Sequence, residues 1–236
     1  MRALSALRRS RPVAILTAHD APSARLAAHA KPDALLVGDS LAMTTLGQPN
    51  TAQLSLQAMV HHTIAARRGA PDLLIIADLP FGSYLTPEAA LASSLALIKQ
   101  GGADAVKLEG GRRVAPMVRA LADAGIGVVG HVGLTPQSAA VLGGFSVQAR
   151  TASAAAELLA DARAVEEAGA SAIVLEMVPS PVAAAVTEAL NVPTIGIGAG
   201  PHTSGQVQVW HDVVGMYHGR NPRFSRQYAD VNAAAG

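Results

Sequence analysis

A short pattern recurs four times along the chain. Each copy begins at a Pro or a Gly, continues as a brief, mostly apolar run and ends on an acid seven positions later. The copies occupy residues 32–39, 71–78, 102–109 and 169–176. Apolar runs bounded by chain-breaking residues are typical of strands buried on both faces of a parallel sheet. The repeat therefore predicts parallel strands that deliver four carboxylates, Asp39, Asp78, Glu109 and Glu176, to one end of one sheet.

Helical patterns separate these runs, and further strand patterns extend the series. We predict additional strands at residues 13–17, 127–132, 193–200 and 207–210, and helices at 22–30, 55–68, 87–100, 114–124, 153–168 and 182–190. Ser153 is expected to cap one of these helices. Seven or eight strand–helix units in about 220 residues favour a single-domain (β/α)8 TIM barrel spanning residues 1–236, in which function lies at the carboxyl ends of the strands.

The two ends of the chain carry weaker patterns. Residues 2–9 could form a short amphipathic helix that closes the bottom of the barrel. After the eighth strand only about 25 residues follow, polar and Ala-rich, so the last helix is expected to be incomplete.

Composition excludes several classes of function. Lys and Arg number 18 against 17 acids, which leaves no basic surface for nucleic acid. There is no cysteine, so thiolate metal sites, disulfides and a cysteine nucleophile are excluded. No signal peptide and no apolar run of about 18 residues occurs, so no membrane partner is expected. We therefore expect a cytoplasmic protein that acts on small molecules.

Three of the acids follow consecutive strands and should be neighbours on the rim of the barrel. Asp39, Asp78 and Glu109 cannot all be ionised at close range without a cation. Carboxylate oxygens together with waters are the ligands that Mg²⁺ prefers. The alternative is that these acids are solvated and pair with basic residues in loops. The shared position of all three favours a magnesium site.

Three further residues are candidates for chemistry at the same end. Lys107 shares a strand face with Glu109 and should point into the barrel, as a counter-ion for the acids or as a cation or Schiff base for a substrate. The acid-rich setting favours a charged lysine. Glu176, in an apolar run, is either a general base or an acceptor for loop N–H groups. His131 is either a hydrogen-bond donor to a substrate or a structural histidine at the rim.

Several longer motifs follow one another at separations that resemble a known family. They are VGDSLAMTTLG, HHTIAARRGAPDLLIIADLPFGSY, TPEAA, VKLEGG, GHVGLTPQS, GGFSVQAR, LEMVP and GIGAG. Together they resemble the 3-methyl-2-oxobutanoate hydroxymethyltransferases, which form ketopantoate in pantothenate and coenzyme A biosynthesis. The resemblance covers about residues 13–224. At lower resolution the chain is similar to the phosphoenolpyruvate mutase and isocitrate lyase group of barrels.

The resemblance implies a reaction and a set of site residues. The reaction transfers a hydroxymethyl group from 5,10-methylenetetrahydrofolate to 3-methyl-2-oxobutanoate through an Mg²⁺-stabilised enolate. Mg²⁺ is implied at Asp39 and Asp78, with Glu109 nearby through water, and Glu176 is implied as the base. The residues implied to contact the 2-oxo acid are Asp39, Ser40, Asp78, Lys107 and His131. The family also implies a homo-oligomer, namely a homodecamer.

Two departures from the family pattern keep alternatives open. His19 stands where the family has a tyrosine in its first-strand motif, and the family's C-terminal helical tail is missing beyond about Tyr228. The alternatives are a related Mg²⁺-dependent lyase of 2-oxo acids, a glycosidase barrel and a catalytically silent barrel. The lack of cysteine argues against the first, the scarcity of aromatic residues against the second and the four acids against the third.

Overall fold

The strands of the protein close into one parallel barrel in chain order, β1 to β8. The computed structural model describes residues 4–7, 11–216 and 222–235. The strands are β1 Val13–Thr17, β2 Ala34–Val37, β3 Leu74–Asp78, β4 Ala105–Glu109, β5 Gly127–Gly133, β6 Ala172–Glu176, β7 Thr194–Ile197 and β8 Gly205–Gln208. The predicted (β/α)8 barrel is confirmed, and all four copies of the repeat contain a barrel strand.

Helices alternate with the strands and cover the outer face of the barrel. They are α1 Ala21–His29, α2 Leu41–Thr44, α3 Leu56–Gly69, α4 Pro87–Leu95, α5 Ala115–Asp123, α6 Ala139–Leu142, α7 Ala152–Glu167, α8 Ser180–Ala189, α9 Trp210–Val214 and α10 Val231–Ala235. Helix α4 continues as a π-helical turn, Ala96–Gln100. The eighth strand is followed by only the five-residue α9 before residue 216, which agrees with the expected incomplete last helix.

Side-chain oxygens cap most of the longer helices at their first turn. Thr86 accepts from the backbone N–H of Ala89 at the start of α4, as the sequence predicts. At α7 the prediction is wrong, because Thr151 rather than Ser153 accepts from the N–H of Ala154. Thr151 has extended backbone angles, φ −112° and ψ 159°, and these aim its oxygen at the free N–H groups. Ser153 already lies inside the helix.

Two apolar clusters hold the fold together. One lies between the barrel and its helices, and it includes the strand residues Leu35, Ile75 and Leu108. The other fills the barrel interior, and it includes the alternate residues Leu36 and Ile76. Alternation along a strand explains this division, because successive side chains point to opposite faces.

The bottom of the barrel is closed near the N-terminus of the chain. Leu4–Leu7 forms a single 3-10 turn, and both leucines at its ends are buried in the interior cluster. A Cβ placed on Gly127, at the start of β5, would lie 3.0 Å from Leu4 Cδ1. The remainder of the helix predicted for residues 2–9 lies outside the described residues.

The seam of the barrel joins the first strand to the last. Strand β1 pairs with β8 from Val13 opposite Gly205 to Leu16 opposite Gln208. A Cβ on Gly205 would meet the carbonyl oxygen of Val13 at 2.4 Å, so only glycine allows this approach. Beyond the seam, Trp210 donates its backbone N–H to Thr17 Oγ1 at 2.8 Å.

None of the helices in the described ranges combines the length and the apolar character needed to cross a bilayer.

Candidate active site

A cavity of about 500 Å³ opens at the carboxyl ends of the strands. Every site residue proposed from the sequence contributes to its lining, and these residues are Asp39, Ser40, Asp78, Lys107, Glu109, His131 and Glu176. The deeper wall is apolar and is formed by Leu36, Val174, Ile197 and Val207. The structure therefore brings together one polar cluster and one apolar wall in a single chamber.

Strand register places the charged side chains opposite one another. Asp78 is aligned with Lys107 across β3 and β4, and Glu109 is aligned with His131 across β4 and β5. Glu176 ends β6 opposite Gly133 of β5. Adjacent parallel strands that end together bring such side chains within a few ångströms.

Lys107 lies between two carboxylates inside the barrel. Its Nζ is 3.1 Å from Asp78 Oδ1 and 3.8 Å from Glu109 Oε1, and the lysine is only 4% exposed. Burial lowers the pKa of Lys107, but Asp78 and Glu109 outweigh this effect and raise it above the usual value. Lys107 is therefore a charged counter-ion and not a neutral amine ready to act as a nucleophile.

Asp39 is buried beside a second carboxylate. Its backbone N–H donates to Asp78 Oδ2 at 2.9 Å, which fixes the spacing of the two residues. Burial, together with the charges of Asp78 and Glu109, raises the pKa of the Asp39 carboxyl well above its usual range. The ionised form of Asp39 thus requires an additional positive charge close to it.

His131 connects Glu109 with Glu176. Its Nδ1 is 3.4 Å from Glu109 Oε1 and 3.3 Å from Lys107 Nζ, and its Nε2 is 3.3 Å from Glu176 Oε2. Burial and Lys107 lower the pKa of His131, but the two carboxylates dominate and raise it to about 9. The ring faces a carboxylate from each nitrogen, so His131 lies within the cluster of acids.

Glu176 is the most accessible acid of the cluster. Its side chain is 18% exposed, whereas those of Asp78 and Glu109 are 2% exposed. Met177, which follows it, has φ 49° and turns the chain sharply at the end of β6. The carbonyl oxygen of Glu176 accepts from the N–H of Leu134 at 2.8 Å. These contacts fix the backbone and leave the carboxylate facing the cavity.

Ser40 starts the short helix α2 directly above the end of β2. Its hydroxyl makes no capping hydrogen bond, although the residue stands at the N-cap position. The side chain instead contributes to the cavity lining. A hydroxyl beside Asp39 is therefore available to a bound anion.

Two carboxylates and a nearby third match the donor set of a divalent ion. Among the residues that the structure describes, no three His, Cys, Asp or Glu side chains form a ready-made metal site. Asp78 Oδ1 and Glu109 Oε1 are nevertheless buried beside nitrogens, with Lys107 Nζ at 3.1 and 3.8 Å and, for Glu109, His131 Nδ1 at 3.4 Å. Hard carboxylate oxygens with space for waters suit Mg²⁺, which keeps part of its hydration shell. The residues present thus fit a magnesium ion held by Asp39 and Asp78, with Glu109 acting through water.

Gln137 and Tyr84 join this cluster although the sequence analysis assigned neither a role. Gln137 is 7% exposed and Tyr84 9% exposed. The Gln137 side chain donates to Asp39 Oδ2 at 2.8 Å, and Tyr84 donates to Gln137 Oε1 at 2.5 Å. Only one signal in the sequence could have indicated Gln137, namely its position just after a barrel strand in the segment 135–150.

The departure at position 19 lies beside the chamber. The ring of His19 stacks on that of His211 with centroids 4.7 Å apart. Burial and His19 lower the pKa of His211 to about 4. Asp212, which lines the cavity, has its pKa raised to about 6 by burial. The eighth strand predicted for residues 207–210 is displaced, since β8 is Gly205–Gln208, and the sequence analysis assigned no role to His211 or Asp212.

The opening of the cavity is largely apolar, with an arginine beside it. Phe145 and Phe224 line it and are 54% and 38% exposed, and Met43 and Met177 also contribute. Arg223 provides the positive charge. Such an opening suits a flat, partly anionic molecule that enters above the polar cluster.

Solved structures share the fold at low sequence identity. A putative phosphonomutase from Burkholderia cenocepacia aligns with a TM-score of 0.69 at 21% identity, over 87% of this chain and 89% of that one. A phosphonopyruvate hydrolase, solved with oxalate and Mg²⁺, aligns with a TM-score of 0.67 at 17% identity, over 86% and 77% of the two chains. These likenesses establish the type of barrel.

Curated relatives are much closer in sequence. The 3-methyl-2-oxobutanoate hydroxymethyltransferase of Thermus thermophilus is 56% identical over 92% of this chain and 83% of its own length. That of Heliobacterium modesticaldum is 51% identical over 93% and 80%. The model of the ketopantoate hydroxymethyltransferase family matches residues 1–236. The chain therefore belongs to the ketopantoate hydroxymethyltransferase family.

Proposed function

We propose that the protein transfers a hydroxymethyl group from 5,10-methylenetetrahydrofolate to 3-methyl-2-oxobutanoate and forms 2-dehydropantoate. The observation that carries this proposal is the convergence of Asp39, Asp78, Lys107, His131 and Glu176 on one chamber. The names of relatives at 51% to 56% identity support the same reaction.

Asp39 and Asp78 would hold a magnesium ion, with Glu109 acting through water. Three buried carboxylates that lie together, with Lys107 beside Asp78 and Glu109, support this assignment. When bound, the ion supplies Lewis-acid polarisation of the keto group and compensates the carboxylate charges.

The chamber accommodates the 2-oxo acid with its two ends in different surroundings. The ammonium of Lys107 and the hydroxyl of Ser40 suit the carboxylate and keto end. The apolar wall of Leu36, Val174, Ile197 and Val207 suits the branched alkyl end. A substrate held in this way presents its C3 atom between the polar cluster and the wall.

Glu176 would remove the proton from C3. Its carboxylate faces the cavity and is the most accessible of the acids, while its backbone is fixed at the end of β6. The positive charge of Lys107 would stabilise the enolate that remains. His131, 3.3 Å from Glu176 Oε2, would orient that carboxylate.

The C3 carbon would then form a bond to the methylene carbon of the folate. Both bonds from that carbon to the folate nitrogens N5 and N10 break, and water supplies the oxygen of the new hydroxyl group. The proton taken from C3 and the remaining proton of water end on the two folate nitrogens. The apolar opening formed by Phe145, Phe224, Met43 and Met177 provides a path for the folate to reach the enolate.

Proton exchange at C3 tests the chemistry without needing turnover. We expect Mg²⁺-dependent exchange of the C3 proton of 3-methyl-2-oxobutanoate in D₂O, followed by NMR. Because Glu176 is the only base assigned to this step, Glu176→Gln should slow exchange by about 10²-fold or more. Glu188→Gln, on the distant helix α8, is the control and should exchange at the wild-type rate. Absence of exchange in the wild type with Mg²⁺ present, with or without folate, would refute the assignment.

The homodecamer and the cytoplasmic location that we expect remain predictions. Size-exclusion chromatography with light scattering measures the first directly.

A further inference from the structure

Gln137 links several parts of the active site through one side chain. It lies in the 3-10 turn Pro136–Ser138 that follows β5, and it is 7% exposed. Its amide nitrogen donates to Asp39 Oδ2 at 2.8 Å and to the carbonyl oxygen of Leu79 at 2.9 Å. Both amide hydrogens are therefore in use, one of them on a carboxylate assigned to the metal ion.

The orientation of this amide follows from its partners. The carbonyl oxygen of Leu79 can only accept, so the nitrogen of Gln137 must face it. The hydroxyl of Tyr84 then donates to Oε1 on the opposite side, at 2.5 Å. The amide therefore has one orientation. If it were flipped, its oxygen would face the acceptor oxygens of Asp39 and Leu79, and its nitrogen hydrogens would be poorly placed. Its own oxygen is thus directed away from Asp39.

The backbone of the same residue holds a second acid. The N–H of Gln137 donates to Glu109 Oε2 at 3.0 Å. The other oxygen of Glu109, Oε1, faces His131 Nδ1 at 3.4 Å and Lys107 Nζ at 3.8 Å. Gln137 therefore binds one oxygen of Asp39 and one of Glu109, and in each carboxylate it leaves the other oxygen for a different partner.

We propose that Gln137 is a positioning residue for the divalent ion, and that Tyr84 fixes the orientation of its amide. This inference rests on the proposed function, because it takes Asp39 and Glu109 to act toward the ion. Gln137 does not contact the ion itself. It holds one oxygen of each acid and thereby fixes the orientation of both carboxylates toward the ion.

Ion affinity in the full chain tests the role. We compare Mn²⁺ binding, measured by calorimetry and by electron paramagnetic resonance, in the wild type, Gln137→Met and Gln57→Met. Methionine keeps the length and apolar stem of glutamine but cannot form the hydrogen bonds. We expect Gln137→Met to weaken Mn²⁺ binding by about 10- to 100-fold, the range typical of residues that orient metal ligands. Gln57, exposed on α3, is the matched control and should leave the affinity unchanged.

A second variant keeps the test decisive if Gln137→Met folds poorly. Tyr84→Phe removes the hydroxyl that donates to the amide at 2.5 Å and that makes only longer contacts, of 3.4 Å, with the backbone of Glu109. It should weaken Mn²⁺ binding by several-fold. Because both residues act through one amide, the double variant should bind no more weakly than Gln137→Met alone. If the two losses multiply instead, the proposed coupling through the amide is wrong.

The outcomes separate this inference from the proposed function. If the wild type binds Mn²⁺ and both variants bind it within twofold of the wild type, Gln137 is merely structural and the inference fails alone. A lower melting temperature without a change in ion affinity leads to the same conclusion. If the wild type itself does not bind Mn²⁺, the metal assignment fails and the inference fails with it.

Discussion

Lys107 carries a positive charge into the barrel interior, where burial alone would lower its pKa. The carboxylates of Asp78 and Glu109 reverse that effect, and all three side chains are nearly inaccessible to solvent. Each charge in this group is tolerated only because the others are present. Removal of any one of these charges should therefore destabilise the fold, because it leaves the others buried and unpaired.

Removing the lysine should expose this dependence. We expect Lys107→Met to lower the free energy of unfolding by about 3–5 kcal/mol in the absence of divalent ions, because two buried carboxylates lose their partner. Urea denaturation in the presence of a chelator measures this loss. Lys99→Met, at an exposed position, is the control and should change the free energy by less than about 0.5 kcal/mol. Equal midpoints for the two variants would contradict the prediction.

His211 gives the protein a pH-dependent contribution to its stability. Its pKa is about 4 in the folded state and 6.5 when unperturbed, so between these values the unfolded chain binds a proton that the folded protein does not. This contribution is complete above pH 6.5 and is lost as the pH falls toward 4. Asp212 acts in the opposite sense, because its pKa is raised from 3.8 to about 6, so its contribution is lost as the pH rises.

A comparison with His211→Gln isolates the histidine. The variant retains Asp212, so the melting temperature of the wild type minus that of the variant should decrease between pH 7 and pH 4.5. Calorimetry at several pH values measures this difference. A difference that is independent of pH would show that His211 does not titrate in this range.

Several of these residues could be predicted from the sequence and several could not. Asp39, Asp78 and Glu109 end apolar runs, so the pattern that reveals the strand also reveals the acid. Gln137 follows its strand in an irregular segment where no periodicity distinguishes it from other polar residues. Its role depends on contacts with Asp39 and Tyr84, which are 98 and 53 residues away in the chain.

At the scale of the element, helix starts show the limits of local reasoning. Thr86, followed by Pro87 and Glu88, predicts the start of α4 correctly because cap, proline and acid all agree. At α7 both Thr151 and Ser153 are good capping residues, and the sequence does not distinguish them. The backbone angles of Thr151 determine that it is the capping residue, and these angles depend on the loop that precedes it.

The difference between these two residues is measurable. Thr151→Ala should reduce the free energy of unfolding by about 1 kcal/mol, because an N–H group of the first turn loses its acceptor. Ser153→Ala should change it by less than about 0.5 kcal/mol, since both side chains are exposed and Ser153 caps nothing. Denaturant titration of both variants gives the comparison, and the reverse order would contradict the assigned cap.

At the scale of the whole molecule, the barrel depends on a close approach at its seam. Gly205→Ala should lower the free energy of unfolding by about 1–3 kcal/mol, because the new Cβ would meet the backbone of Val13, which cannot move aside like a side chain. Thermal unfolding followed by circular dichroism measures the loss. Gln206→Ala, at the next residue, is the control, because it changes a side chain of β8 without adding an atom near Val13. Comparing the unfolding of the two variants separates the effect of seam closure from a general loss of β8 contacts. A Gly205→Ala variant as stable as the wild type would refute the steric argument.

The closed order of the strands was predictable, but the chemistry of the seam was not. Alternating strand and helix patterns predict a parallel sheet, because each parallel connection needs a crossover, and the count of seven or eight units predicts that the sheet closes into a barrel. The requirement for glycine at position 205 arises only from its pairing with Val13 in the closed sheet. No property of the short run around Gly205 carries that information.

The pairing of β1 with β8 can form only late in synthesis, after β8 has been made. The contact from Trp210 to Thr17 spans 193 residues, so the first strand emerges long before its last neighbour exists. Until then, β1 has one unpaired edge and the interior leucines and isoleucines have no complete enclosure. Loop closure over such a distance is slow compared with local helix formation. If translation paused before β8, the nascent chain would therefore present an open sheet with an unpaired edge and exposed apolar side chains. This is the form of the protein that a molecular chaperone would encounter.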